Sequence, residues 1–595
     1  MSEPLPSWNL SDLFSSIDDP AIERCLRKAE RLVRAFVLAY KGKLSKKAAS
    51  ALALKRILRQ YEAVFVCALK PIEYAQLLFA EDLSKPERGA FLQSMRVRYL
   101  SIQSETVFFE LELLTLPDAV LKKLSRHPQL QEYANYLVKL INSKPHRLSE
   151  REERLLDQKS LTGRSAFVRL FDEEISLKKF SLNMRGKVKE LSETQLLDML
   201  YSKVRAERKA AAKSLTAGLK EESRRLTYIT NTLAEDKAID DKLRNFATPA
   251  AARHLANEIS QDMVDVMSSA VTSHYGIVQD FYRFKAKVLG VGKLFDYDRY
   301  APVSSASVKM PYAAARKNIL DSFRAFSPRY AEIASLFFDK QWIDAEQRKG
   351  KRGGGFCSYA TPDLHPYVFL NYSGSLREVF TLAHELGHGV HGYLMRDRGI
   401  LNADTPLTIA ETASVFAEML LFEQLKREAK SPQDLFALIT GRIEGIFATV
   451  FRQISMYNFE QDLHAERRRC GELSTERINA LWCKRQKEMF GSAVEITPEY
   501  AYWWSYIPHF LHTPFYVYAY SFGELMTLSL FSQYKREGEP FVEKYLALLA
   551  AGGSLSPEGL VKPLGISLKG RSFWEGGLAL IAELVSEAKA VYRRG

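Results

Sequence analysis

The residues whose types and spacing could do chemistry lie between positions 381 and 388: Thr381-Leu382-Ala383-His384-Glu385-Leu386-Gly387-His388. The pattern is His-Glu-x-x-His. On an α-helix, positions i and i+4 share a face, so the imidazoles of His384 and His388 can converge on one metal ion. Glu385 is offset from that apex. It would crowd the ion as a ligand but can reach a water held there, the place of a general base in metal-assisted hydrolysis. With 11 histidines in 595 residues, a chance match is uncommon. The alternative is a surface helix carrying two solvated histidines.

A catalytic zinc needs a third protein ligand and one open position. One known continuation places a glycine and then a third histidine downstream. Here His391 stands where the glycine would be and Leu394 where the histidine would be, so that scheme fails. The other takes a glutamate from the next helix. Leu407-Thr408-Ile409-Ala410-Glu411-Thr412-Ala413-Ser414-Val415-Phe416-Ala417-Glu418 reads as helix, with apolar residues around Glu411. A carboxylate on such a face is costly to bury unless a cation meets it. Glu411 is the expected third ligand. Glu418, two turns on, is either a support behind the ligands or a solvated glutamate.

These elements sit in a chain too long for one core, so at least two lobes are expected. With 46% hydrophobic and 26% charged residues, the composition is that of an ordinary soluble protein. No apolar run approaches bilayer length, and Met1-Ser2-Glu3-Pro4-Leu5-Pro6 lacks the features of a secretory signal. Cys25, Cys67, Cys357, Cys470 and Cys483 are odd in number and scattered, which suggests free thiols in a reducing, cytoplasmic compartment. The net charge of +13 raises the question of a nucleic-acid partner. The basic residues are mixed with acids, as in Arg151-Glu152-Glu153-Arg154, and no nucleic-acid motif accompanies them. Neither nucleic acid nor membrane is an expected partner.

Along the chain, Asp19 caps and Pro20 opens a helix that ends near Gly42. A second is expected from about Lys46 to Leu69, stopped by Pro71, a third from Pro86 to about Leu114, and more helix from Leu130 to Ile141. Ala166–Phe171 and Ile175–Phe180 alternate like short strands, with a boundary near Met184-Arg185-Gly186. The expected division is therefore an N-terminal helical lobe, 1–185, and a catalytic domain, 186–595. Lys349-Gly350-Lys351-Arg352-Gly353-Gly354-Gly355-Phe356-Cys357 lacks the ending of a phosphate loop, and its glycines permit close approach of another backbone. Tyr367-Val368-Phe369-Leu370-Asn371-Tyr372 is a strand by composition. It is either a sheet edge for an extended peptide or a plain hairpin. Further on, Ile507-Pro508-His509-Phe510-Leu511-His512 and Phe515-Tyr516-Val517-Tyr518-Ala519-Tyr520 gather imidazoles and hydroxyls. They are either donors to a developing oxyanion or an aromatic helix in a core.

The chain resembles oligoendopeptidase F, a zinc oligopeptidase family related to thimet oligopeptidase. Four stretches carry the likeness: Trp8-Asn9-Leu10-Ser11-Asp12-Leu13; Lys349 to Cys357; Leu370-Asn371-Tyr372 through His391; and Ile507-Pro508-His509-Phe510 with Phe515 to Tyr520. They fall in the family's order across most of the chain. The resemblance implies a mainly α, two-lobed fold with a deep central channel and a small β element beside the metal helix. It implies one Zn2+ held by His384, His388 and Glu411, with Glu385 as base. It also implies His509, Tyr516 and Tyr520 as transition-state donors. Gly354, Gly355, Tyr372 and Tyr518 are the expected substrate contacts. The implied activity is endopeptidase cleavage of short, unstructured oligopeptides. An aminopeptidase with the same ligands would need an acidic Gly-x-Met-Glu-Asn anchor, which is missing, and a non-catalytic basic scaffold would not need Glu385.

Overall fold

The structure is a computed structural model that describes residues 5–48, 50–184, 186–304, 309–403 and 405–594. The first four residues of the expected N-terminal reading and Arg185 lie outside the described residues. The chain is mainly helical, with five short strands among the described residues: β1 (Phe180–Met184), β2 (Lys187–Leu191), β3 (Ile343–Asp344), β4 (Phe356–Ser358) and β5 (Tyr367–Phe369). It forms two compact units, each made of three chain segments. The first comprises Met1–Lys144, Ser307–Glu428 and Leu530–Ser567; the second comprises Pro145–Ala306, Ala429–Ser529 and Leu568–Gly595. This partition differs from a single cut near 185. The strands on either side of that boundary, β1 and β2, pair antiparallel inside the second unit.

In the first unit, the Pro20–Tyr40 helix opens as its sequence dictates, the Asp19 carboxylate accepting the Ala21 N–H. It packs Phe36 and Tyr40 into a core shared with Leu54, Leu58, Phe109 and Leu137. The next long helix, Ala51–Glu81, runs straight past Pro71. A proline in a helix interior costs about 3 kcal/mol. Here Ala68, Ile72, Ala75 and Leu77 are buried on both sides of it, and that packing holds the helix together. This helix is long and apolar enough to cross a membrane, contrary to the expectation that no run would be, but 56% of its apolar window is buried inside the protein.

The residues read as strands between 166 and 177 form instead a helix, Arg164–Leu177. Only Phe171 and Ile175 of that helix are buried, a spacing of four, whereas Leu170 is exposed. The alternation of apolar residues there did not describe a buried face.

A three-stranded sheet, ordered β3-β5-β4, precedes the helix that bears the histidines. β5 pairs parallel with β3 and antiparallel with β4, leaving β4 at an edge. Trp8 packs on Phe356, Tyr367 and Phe369, so the N-terminal motif serves this sheet. The lysine of the glycine-rich stretch has a structural role. Lys351 is buried, and its Nζ donates to the Asp344 carboxylate at 2.5 Å and to the Glu346 and Leu370 carbonyls at 2.7 Å each. It ties the ends of β3 and β5 to the loop that leads into β4. Breaking a buried ion pair by removing one partner costs about 3–5 kcal/mol. Because Arg348 also reaches Asp344, Lys351→Met should lower unfolding stability by about 3 kcal/mol, the low end of that range. Urea denaturation measures this, and a loss below about 1 kcal/mol, the worth of an exposed pair, would contradict it.

Candidate metal centre

The helix carrying the motif, Leu376–Met395, is started by a capping box. Ser375 Oγ accepts the Glu378 N–H and the Glu378 carboxylate accepts the Ser375 N–H. Ser373 donates to the same carboxylate through Oγ and backbone. The second helix, Leu407–Glu428, is its main packing partner. Gly387 decides how close the two come. A Cβ placed on it would lie 2.6 Å from the Ala413 carbonyl oxygen and 2.7 Å from the Ser414 Cα. Any side chain there would push the helices apart. Gly389 and Gly392 face Phe337, Tyr359 and Pro366 at similarly short range.

That approach brings Glu411 against both histidines. Its Oε2 lies 3.2 Å from His384 Nε2 and 3.6 Å from His388 Nε2. The three donor atoms lie within 4.8 Å of one another, the one such cluster among the described residues. Ligand atoms held tetrahedrally about 2.0–2.1 Å from a zinc ion would stand about 3.3 Å apart. The two observed separations bracket that value, so the donor set fits a divalent metal. Ser414 Oγ donates to the same Glu411 oxygen at 2.8 Å. On its far side, His384 Nδ1 meets Glu418 Oε1 at 2.6 Å. Of the two readings of Glu418, this geometry favours the support behind the ligands. His388 Nδ1 is buried without a hydrogen bond.

Burial pushes the Glu411 carboxyl up, but hydrogen bonds and charge from His384 and His388 outweigh it and hold it well below the usual carboxylate range. Burial likewise pushes the His384 imidazole down, yet Glu411 and Glu418 raise it well above its ordinary value. The cluster has an excess of negative charge that calls for a cation. Glu385 stands one residue away, 6% exposed, and burial raises its carboxyl.

The glycine-rich stretch runs beside this base. A Cβ on Gly355 would sit 3.1 Å from Glu385 Oε1 and 3.0 Å from Thr381 Cγ2. Gly354 has φ +83°, the left-handed region that favours glycine, and its carbonyl accepts from Asn371 Nδ2. Both glycines are exposed at the start of the β4 edge. Tyr372, expected at the substrate, is instead buried, its hydroxyl donating to the Met310 carbonyl at 2.8 Å.

The second constellation, His509 to Tyr520, belongs to the other compact unit. His509 Nε2 lies 3.4 Å from the Tyr520 hydroxyl, and the Tyr516 ring stands 5.0 Å from that of Tyr520. All three side chains are partly exposed. Tyr518, another expected substrate contact, is wholly buried, and its hydroxyl is engaged by His254 Nδ1 and Asn257 Nδ2 at 2.9 Å each. His512 pairs with Asp172 at 2.7 Å, while its carbonyl accepts from Arg164, so it ties the segment to the Arg164–Leu177 helix.

Sequence reasoning passed over what holds this segment. Phe515 has φ +60°, a strained conformation for a bulky residue, and its N–H donates to Glu460 Oε1 at 2.9 Å. Glu460 is fully buried, its other oxygen is unpaired, and burial pushes its carboxyl up to about 8.

The comparisons agree with this architecture. The model of peptidase family M3 matches residues 198–580, and one described as Oligopeptidase F matches residues 112–180. The chain therefore belongs to peptidase family M3. Several of its relatives are described as oligoendopeptidase F or its homologs. The chain is 27% identical to an oligoendopeptidase F homolog of Lactococcus lactis subsp. lactis, over 88% of this chain and 87% of the relative. It is also 27% identical to the oligopeptidase PepF of Bacillus subtilis, over 98% and 86%. The fold is that of a solved structure from Chlamydophila abortus, with TM-score 0.87 and 22% identity across 98% of both chains.

Two outcomes follow from this geometry. Gly387→Ala overpacks the helix contact, a change worth about 1–3 kcal/mol, and should weaken metal retention in equilibrium dialysis while leaving all ligand side chains present. Glu460 has a folded pKa of about 8 against an ordinary 4.5, so the folded state holds the extra proton and wild-type stability falls as pH rises between those values. Glu460→Gln should remove that fall, gaining on wild type with pH in denaturation curves. Glu460→Ala, which strands the Phe515 N–H, should lose about 1–3 kcal/mol.

Proposed function

We propose that this peptidase is a zinc-dependent endopeptidase acting on short, unstructured oligopeptides. The convergence of His384, His388 and Glu411, with Glu385 adjacent, carries the reading. Those three side chains would hold the ion, and Glu418 on His384 Nδ1 leaves Nε2 as the ligating nitrogen. When bound, zinc supplies Lewis acidity that polarises a carbonyl and acidifies water.

The chain's own residues do the rest. Glu385 accepts a proton from the attacking water and delivers it to the leaving amine. Its raised carboxyl suits it to both transfers, because a base whose pKa approaches the working pH also returns the proton readily. The half-buried β4 edge, entered through the exposed Gly354 and Gly355, offers backbone groups to an extended peptide. Such pairing needs an unfolded substrate strand, which favours short peptides over folded proteins. By resemblance, His509 and Tyr520 are donors to the charge that develops on the carbonyl oxygen, with Tyr516 beside them. Removing one such donor typically costs ~10²–10³ in turnover. The free cysteines are consistent with work in the cytoplasm.

The decisive experiment pairs metal analysis with product mass spectrometry on a peptide library that includes N-terminally blocked members. Wild type should cut blocked peptides internally, lose activity to chelator and regain it with zinc. Glu385→Gln should retain metal and lose nearly all cleavage, whereas Glu411→Ala should lose metal. Turnover of Glu385→Gln near wild type, or products trimmed only from free N-termini, would overturn the reading.

A further inference from the structure

Within the second compact unit lies a cavity of about 270 Å³, lined in part by Tyr282, Arg299, Tyr300, Glu444 and Arg452. The charges around it do not balance. Lys285, fully buried, pairs with Glu444 at 2.6 Å and donates to the Arg299 carbonyl at 2.5 Å. That pairing occupies the one carboxylate in the lining. Asp298 is taken by Arg205 and Arg208, while the Asp296 carboxylate accepts from the N–H and hydroxyl of Thr497 and acts on Arg299 through its field alone, without a salt bridge.

Arg299 and Arg452 remain. Arg299 is 4% exposed, and its Nε donates to the Asp296 carbonyl. Its guanidinium otherwise rests on the rings of Tyr300, Phe490 and Tyr500, with centroids 4.8–5.2 Å away. Arg452 donates through Nη1 to the Tyr300 hydroxyl at 2.9 Å. Neither guanidinium has a carboxylate within salt-bridge distance among the described residues.

A guanidinium without a salt-bridged carboxylate is expensive to bury, and aromatic faces recover only part of the cost. Arg299, buried, and Arg452, half-buried, line the same cavity and make it positive. Tyr300 registers it: burial pushes its phenol up, but Arg452, Arg299 and Lys285 outweigh that and lower it. A guanidinium presents planar N–H donors in a fork that matches an oxyanion. The volume has room for a phosphate-sized ion with several waters, given about 30 Å³ per water.

We propose that this cavity is a binding site for a small tetrahedral oxyanion of the phosphate class, held between Arg299 and Arg452. The site uses none of the metal-centre residues. Its occupant supplies the missing negative charge and so stabilises the folded state by mass action.

The test titrates the intact protein with inorganic phosphate, with ionic strength held constant by gluconate. Readouts are isothermal calorimetry and the thermal midpoint. Wild type should show saturable heat and a saturable rise in midpoint. Arg299→Met and Arg452→Met should each bind phosphate at least tenfold more weakly. Without phosphate Arg299→Met should unfold at or above the wild-type temperature, because it removes a buried guanidinium that no carboxylate pairs. If either variant fails to fold, the wild-type titration and the other arginine variant still decide. No saturable response in wild type, or wild-type affinity in both arginine variants, would overturn the proposal.

Discussion

The centre depends on how closely two helices approach. At Gly387 the backbone of the histidine helix lies where a methyl group would meet the Ala413 carbonyl. Two residues before Ala413 on the second helix, Glu411 stands 3.2 Å and 3.6 Å from the imidazoles. Ligand geometry tolerates errors of a few tenths of an ångström. A contact with no side chain between the helices can meet that demand, because nothing compressible sets the spacing.

The surrounding elements fix the same helices from other sides. Ser375 and Glu378 set where the histidine helix begins. Lys351 and the three-stranded sheet hold the glycine-rich stretch against Glu385. Behind the second helix, Phe416 stacks on Tyr545 at 4.3 Å, and the Tyr545 hydroxyl donates to the Thr412 carbonyl. Glu418 then orients His384 from outside the ligand set. Each support acts on the backbone or on the unused face of a ligand, leaving the converging atoms unobstructed.

Much of this was legible in the residues. His-Glu-x-x-His specifies its geometry through helical periodicity alone, and the lone carboxylate at Glu411 stood out because its neighbours are apolar. The β5 strand and the cap at Asp19 were equally local. What failed was non-local. Pro71 looked like a stop because the packing that carries the helix past it comes from residues distant in sequence. Residues 166–177 looked like strands because apolar side chains that alternate need not be buried. Tyr372 and Tyr518 seemed available because a hydroxyl's partner, Met310 in one case and His254 with Asn257 in the other, cannot be read from spacing. Glu460 gave no sign of its hold on Phe515, 55 residues away.

The interleaved segments of the first unit bear on biosynthesis. The ligands are complete once Glu411 has been made, yet the rings that wall their helix, Phe531, Phe541 and Tyr545, arrive later in the chain. At translation rates of about 5–20 residues per second, the lag is on the order of ten seconds. During that interval the nascent polypeptide carries a potential chelating motif without its scaffold. A fragment ending before position 530 would therefore carry every ligand and still lack a built centre.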